Sequence, residues 1–311
     1  MIRRLALLAS ALTGVPLAVG WVVTHQMLHP KPRVEDYGLD DFELPAEDLS
    51  FLSRDGTRLS GWFIPAPGRD AAPAVVLSHG WARSRCELLP HANFLHHAGF
   101  AVLVFDYRHR GESDGSEITM GLREQDDLLG ALDLLSTRPE VDTERIGAFG
   151  MSMGGAITML VAARDRRIRA IACEAPFDTF DTLMVRGIRH YGRLPSFPFS
   201  PVAKWVLELR LRGRLDAIAP ADVVASLSPR PVFIIADEGD ALIGADATER
   251  VFQAAVEPKQ FWLIAGADHA RGWQAGREEY ERRLLAFFRE ALMSGEAMAS
   301  GEGHVGRMAA S

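Results

Sequence analysis

Ser152 stands in the stretch "GAFGMSMGGA", residues 147–156, where Gly150, Gly154 and Gly155 leave it with few side chains beside it. Gly150-Met151-Ser152-Met153-Gly154 fits G-x-S-x-G, a pattern that composition alone produces in roughly one protein in ten of this length. Its setting is more specific. The apolar run "IGAF" (146–149) reads as a strand and residues from about 153 to 164 as a helix, so the serine occupies the turn between them. So tight a turn strains the serine backbone and needs glycine two residues away on either side. In return, Oγ is held above the sheet over the free N–H groups of a helix N-terminus. That is a nucleophile elbow.

A serine hydroxyl is a weak nucleophile until a base takes its proton. Of ten histidines, His91, His96 and His97 share one predicted helix without an i,i+4 pair and read as packing or surface residues. His269 follows the strand "FWLI" (261–264) by the short loop "AGAD" and precedes the last helix, so it is the expected base. A carboxylate must orient its imidazole. "PVFIIADEGDALI" supplies Asp237, Glu238 and Asp240. Asp240 can reach back over the sheet edge and is the favoured acid; Asp237, close to the strand, is the alternative. Asp268 ranks low because neighbouring side chains on a loop diverge. The order Ser, Asp, His suits this arrangement. The oxyanion donors are expected to be the backbone N–H groups of Met153 and of Trp81, in "VVLSHGWARS", with His79 structural.

These residues need strand ends to carry them. "DLSFLSRDGTRLSGWFIPAP" reads as a hairpin around Arg54-Asp55-Gly56. Short apolar strands then alternate with helices: "AVVLS" (74–78), "AVLVF" (101–105), "IGAF", "IRAIAC" (168–173), "PVFIIA" (231–236) and "FWLI". Helices are expected over about 121–136, 153–164 and 271–293. Such alternation predicts an α/β fold, a parallel sheet with helices on both faces and ligands at the carboxyl ends of the strands. The stretch 178–222 has no strand and reads as a helical cap inserted over those ends. Its residues 181–215 hold seven basic side chains against Asp181 and Glu208. A solvated helical face is the plain reading of that excess, and contact with an anionic surface or substrate the other.

The totals suit one large domain: 311 residues, 48% hydrophobic and 24% charged. A net charge of −7 argues against a nucleic-acid partner. Two cysteines, Cys86 and Cys173, form no metal or disulfide framework. At the N-terminus, no charge interrupts the nineteen residues from Leu5 to Val23. At about 1.5 Å each, they would rise close to the ~30 Å of a bilayer core. The expected organisation is a transmembrane anchor or signal segment (1–24), a linker (25–45), the catalytic domain (46–293) and a disordered tail (294–311). This implies a single-pass, membrane-anchored protein with its domain on the extracytoplasmic side, or secretion after cleavage near Ala18-Val19-Gly20. Since every chemical residue lies beyond residue 78, residues 1–30 are expected to be dispensable for activity.

The set "LSHGW", "FDYRHRGESDG", "GMSMGG", "ADEGDALI" and "GADH", in this order and spacing, resembles the α/β-hydrolase superfamily. The likeness is to its serine esterase, thioesterase and peptidase-like branch, including bacterial members with an N-terminal membrane segment. It spans about residues 46–293, and "ADEGD" departs from it by lacking the common His-Gly. The resemblance implies an eight-stranded sheet with an antiparallel start and a cap between the sixth and seventh strands. The expected function is serine hydrolysis of a small-molecule ester, thioester or amide by Ser152, His269 and Asp240, with no metal or organic cofactor. The alternatives are acyl transfer by the same triad and a non-catalytic, membrane-tethered binding protein.

Overall fold

The computed structural model describes residues 2–293, with side chains from residue 14 onward. The expected disordered tail, 294–311, lies outside the described residues. Eight strands form one sheet: β1 (Glu47–Leu52), β2 (Arg58–Ile64), β3 (Ala72–Ser78), β4 (Ala101–Phe105), β5 (Val141–Met151), β6 (Ile168–Glu174), β7 (Val232–Asp237) and β8 (Lys259–Ile264). Their order is β1-β2-β4-β3-β5-β6-β7-β8. β2 pairs antiparallel with β1 and β4, and every other neighbour is parallel. The helices are α1 (Ile2–Leu28), α2 (Leu89–His97), α3 (Glu124–Leu135), α4 (Met153–Ala162), α5 (Phe180–Gly192), α6 (Ser196–Leu211), α7 (Pro220–Val223), α8 (Ala245–Ala254), α9 (Gly272–Ala275) and α10 (Arg277–Met293).

Alternation along the strands divides the core into two layers. Ala74 and Val76 of β3 pack with α3 and α4, while Val75 and Leu77 face α2 and α10. Burial on both faces explains why the central strands read as unbroken apolar runs. β5 is longer than its apolar run suggests. Val141 pairs with Ala72 across a register shift, so the polar segment "DTER" extends the strand with its side chains near the surface. Between β6 and β7 the chain leaves the sheet to build α5 and α6.

The expectation of a membrane span, and with it the anchored, single-pass localisation, is corrected by α1. Among the described residues, no helix is long and apolar enough to cross a membrane. From residue 14 onward, one side of α1 packs within the protein. Pro16, Gly20, Thr24 and Leu28 are buried along one side, at the four-residue spacing of a helix face. Gly20 lies so close to α6 that a Cβ there would stand 3.4 Å from the Ala203 Cα. Arg210 of α6 donates to Thr24 Oγ1 at 3.1 Å, and its guanidinium covers the Trp21 ring at 4.6 Å.

The segment after α1 also lies on the domain. Arg33 N–H donates to Ala82 O at 2.8 Å, Arg83 pairs with Glu35, and the Tyr37 hydroxyl donates to Glu87 O at 3.4 Å. The basic excess of the cap is offset in space by acids. Arg186 pairs with Asp246 and Lys204 with Asp181, each at 2.5 Å, and Arg214 pairs with Asp216.

A helix packed this way must contribute to stability. Leu28 is fully buried, so Leu28→Ala should lower unfolding free energy by about 2–5 kcal/mol. Urea unfolding followed by tryptophan fluorescence measures it. An unchanged midpoint and slope would show that α1 is not part of the folded unit.

Candidate active site

β5 runs into α4 through Ser152, whose backbone sits at φ 54° and ψ −117°. Outside glycine this conformation costs of order 1–3 kcal/mol and persists only when its surroundings enforce it. Here they do. Ser152 N–H donates to Glu174 O at the end of β6, at 2.8 Å. A Cβ on Gly150 would stand 2.4 Å from Gly154 O, and one on Gly154 would stand 2.1 Å from Ser78 O. Only hydrogen side chains allow β5, α4 and the end of β3 to meet at this turn.

The turn brings Ser152 Oγ to 2.9 Å from His269 Nε2. On the other side of the ring, His269 Nδ1 lies 2.7 Å from Asp240 Oδ2. Asp240 Oδ1 accepts the N–H groups of Leu242 and Ile243, each at 2.8 Å. Burial alone would raise the Asp240 pKa, but the hydrogen bond and charge of His269 and these two N–H groups outweigh it, holding the carboxyl below its usual range.

Asp237, the alternative acid in the sequence, is turned to another task. Its Oδ2 accepts Ala270 N–H at 2.7 Å, while Oδ1 is buried without a partner. Burial and the nearby Glu174 both push it towards the protonated form.

Trp81 and Met153 both line the cavity that reaches Ser152. Met153 opens α4, where helix geometry leaves N–H groups free. The Trp81 indole donates to Met27 O of α1 at 2.8 Å, fixing this loop from outside the sheet. His79 is buried and bridges two loops. Nε2 accepts Tyr107 N–H at 3.0 Å and Nδ1–H donates to Gly80 O at 2.8 Å, while burial pulls its pKa down to about 4. His91 stacks on Phe149 with centroids 4.8 Å apart, a packing role. Among the described residues, no group of three or more His, Cys, Asp or Glu side chains is placed to hold a metal ion.

Two carboxylates that the sequence reading passed over support these loops. Glu174 ends β6, accepting Gly272 N–H at 2.9 Å and the Tyr280 hydroxyl. Burial is the main cause that raises its pKa. An acid closing the apolar strand "IRAIACE" was the available signal. Glu87 accepts Gly80 N–H at 2.8 Å, one residue before Trp81, and pairs with Arg83 at 3.2 Å. Burial raises its pKa to about 7, against the lowering effect of Gly80 N–H and Arg83.

The chain matches the model of the X-Pro dipeptidyl-peptidase (S15 family) over residues 55–223. It is 30% identical to the uncharacterized protein YfhR of Escherichia coli K12, over 84% of this chain and 86% of that one. It is 28% identical to the polyketide transferase ATR5 of Stachybotrys chlorohalonatus, over 79% of this chain and 97% of that one. Among solved structures it resembles the Pyrococcus furiosus esterase Pf2001, with a TM-score of 0.70 and 27% identity. That likeness covers 86% of this chain and 98% of the esterase.

Glu87 gives a pH prediction for the loop that carries Trp81. Its pKa is higher folded, about 7, than the ordinary value of 4.5, so the folded state holds the proton longer. Its stabilising contribution is complete below the ordinary value and is lost as pH rises through about 7. Between pH 5 and 8, Glu87→Gln should therefore lose about 2–3 kcal/mol less stability than the wild type. Urea unfolding at both pH values measures this, and equal losses would show that Glu87 is not desolvated in solution.

Proposed function

The chain belongs to the X-Pro dipeptidyl-peptidase (S15) family within the α/β-hydrolase superfamily and is a serine-type hydrolase; from that premise we propose an acyl-enzyme mechanism run by Ser152, His269 and Asp240. The observation that carries this reading is the continuous contact from Ser152 Oγ through the His269 ring to Asp240 Oδ2, at 2.9 and 2.7 Å.

Ser152 Oγ attacks the carbonyl carbon of an ester, thioester or amide while His269 Nε2 accepts the hydroxyl proton. Negative charge develops on the carbonyl oxygen, where the N–H groups of Trp81 and Met153 receive it. As the tetrahedral intermediate collapses, the bond to the leaving group breaks, and His269 returns the proton to that alkoxide, thiolate or amine. Water, deprotonated by His269, then attacks the acyl-enzyme; the acyl–Oγ bond breaks, His269 returns the proton to Ser152 Oγ, and the acid is released. Asp240 holds the Nδ1–H tautomer and stabilises the imidazolium throughout.

A second reading shares the acyl-enzyme but delivers the acyl group to a non-water nucleophile. The likeness to a protein named a polyketide transferase favours keeping it. The assay therefore runs p-nitrophenyl esters and an X-Pro p-nitroanilide with and without an added alcohol. Hydrolysed acid as the main product supports the hydrolase, and an alcohol ester dominating at low acceptor concentration supports the transferase.

Ser152→Ala should lose both fluorophosphonate labelling and about 10⁴–10⁶ of turnover. Asp240→Asn should lower kcat by roughly 10³–10⁴, since an amide can leave His269 in the wrong tautomer. Asp237→Asn should stay within about tenfold, because an amide mimics the protonated carboxyl that burial favours there. A Ser152→Ala variant that keeps a tenth of wild-type turnover would overturn the nucleophile. Reversed effects at 237 and 240 would make Asp237 the acid.

A further inference from the structure

A cavity of about 230 Å³ opens at Ser152, and none of the residues lining it carries a charged side chain. Met184 and Ile188 of α5 form part of its lining. Another part comes from outside the catalytic domain read from the sequence: Val23 and Met27, one turn apart on α1. The Met27 carbonyl accepts the Trp81 indole N–H at 2.8 Å. α1 is thus joined to the loop whose backbone is read as an oxyanion donor.

We infer that the cavity is an acyl pocket for uncharged, medium-length straight chains, with Val23 and Met27 of α1 setting the length it accepts. This rests on the acyl-enzyme reading above. Two physical arguments carry it. The polar side chains of the lining, among them Gln26 and Tyr191, are uncharged, so an ammonium or carboxylate on the acyl part would give up hydration without meeting a counter-charge, which is disfavoured. A methylene occupies about the volume of a liquid water, ~30 Å³, so the space holds a chain of roughly eight carbons. Each buried methylene strengthens binding by about fourfold, so length discrimination should be steep until the pocket is full.

The test compares kcat/KM for p-nitrophenyl acetate, butyrate, octanoate, dodecanoate and palmitate. Octanoate should exceed acetate by at least about 30-fold, with a fall at palmitate. Val23→Trp, which brings an indole into the space, should lower the octanoate-to-acetate ratio at least about tenfold. Met27→Ala should move the optimum the opposite way, towards dodecanoate. Misfolding would not shift the two variants in opposite directions. Gly187→Leu gives a check from the cap, since a Cβ at this lining position meets nothing within 4 Å; it too should shorten the preferred chain.

A binding measurement separates the pocket from the chemistry. In Ser152→Ala, octanoate should quench tryptophan fluorescence, and 8-aminooctanoate, which carries an ammonium at the far end of the chain, should bind at least about 30-fold more weakly. If the wild type turns over no ester but octanoate still binds and Val23→Trp abolishes it, the pocket stands and the hydrolase reading falls. Turnover with a flat length profile, variants that leave the optimum in place, or equal binding of the two acids would overturn the pocket while the hydrolase reading stands.

Discussion

The left-handed backbone of Ser152 is the constraint from which most of the site follows. A φ of 54° at a serine is unfavourable by itself, so the neighbouring segments must hold it from several sides. They do so at very close range: α4 packs so near the end of β3 that residue 154 has no room for a Cβ. The Ser152 N–H is tied to the end of β6. Closeness of this kind needs rigid partners, and the sheet supplies them with strands buried on both faces. The strain and the packing are two descriptions of one arrangement.

The loops facing the serine are held by a different means, buried carboxylates that accept backbone N–H groups. Asp237 takes Ala270 N–H, Glu174 takes Gly272 N–H and Glu87 takes Gly80 N–H. Three acids therefore fix the residues beside His269 and Trp81. Burial drives all three towards protonation, whereas Asp240, with His269 and two N–H donors against it, is held ionised. Environment alone separates these side chains. A negative charge stays beside the imidazole, and charge is discouraged elsewhere behind the loop.

How much of this the sequence discloses varies with the range of the interaction. Strand ends were legible because apolar runs such as "AVLVF" and "FWLI" stop where the chain turns. Ser152 and His269 lie just past such ends, so their approach follows from the topology. The choice between Asp237 and Asp240 depended on the shape of a five-residue turn, where pattern gave only a preference. Glu174 was marked only as an acid closing an apolar strand; its task was not legible, because its partner N–H is 98 residues away. α1 shows the limit most clearly. Hydrophobicity says that a surface must leave water but not what will cover it. The run from Leu5 to Val23 satisfied a bilayer's length, yet α1 packs on α6 through Gly20 and Thr24, and Val23 and Met27 line the cavity at Ser152.

That placement has a bearing on how the protein folds. Thr24 bonds to Arg210 across 186 residues, one of the longest chain separations bridged by any contact described above. Closing so long a loop is entropically unfavourable until the elements at both ends are formed. α1 takes its seat on α6, so its docking depends on that cap helix. The Ser152–His269–Asp240 contact uses no residue of α1, whereas the wall of the cavity at Ser152 includes Val23 and Met27. Until α1 docks, that cavity is open on the α1 side.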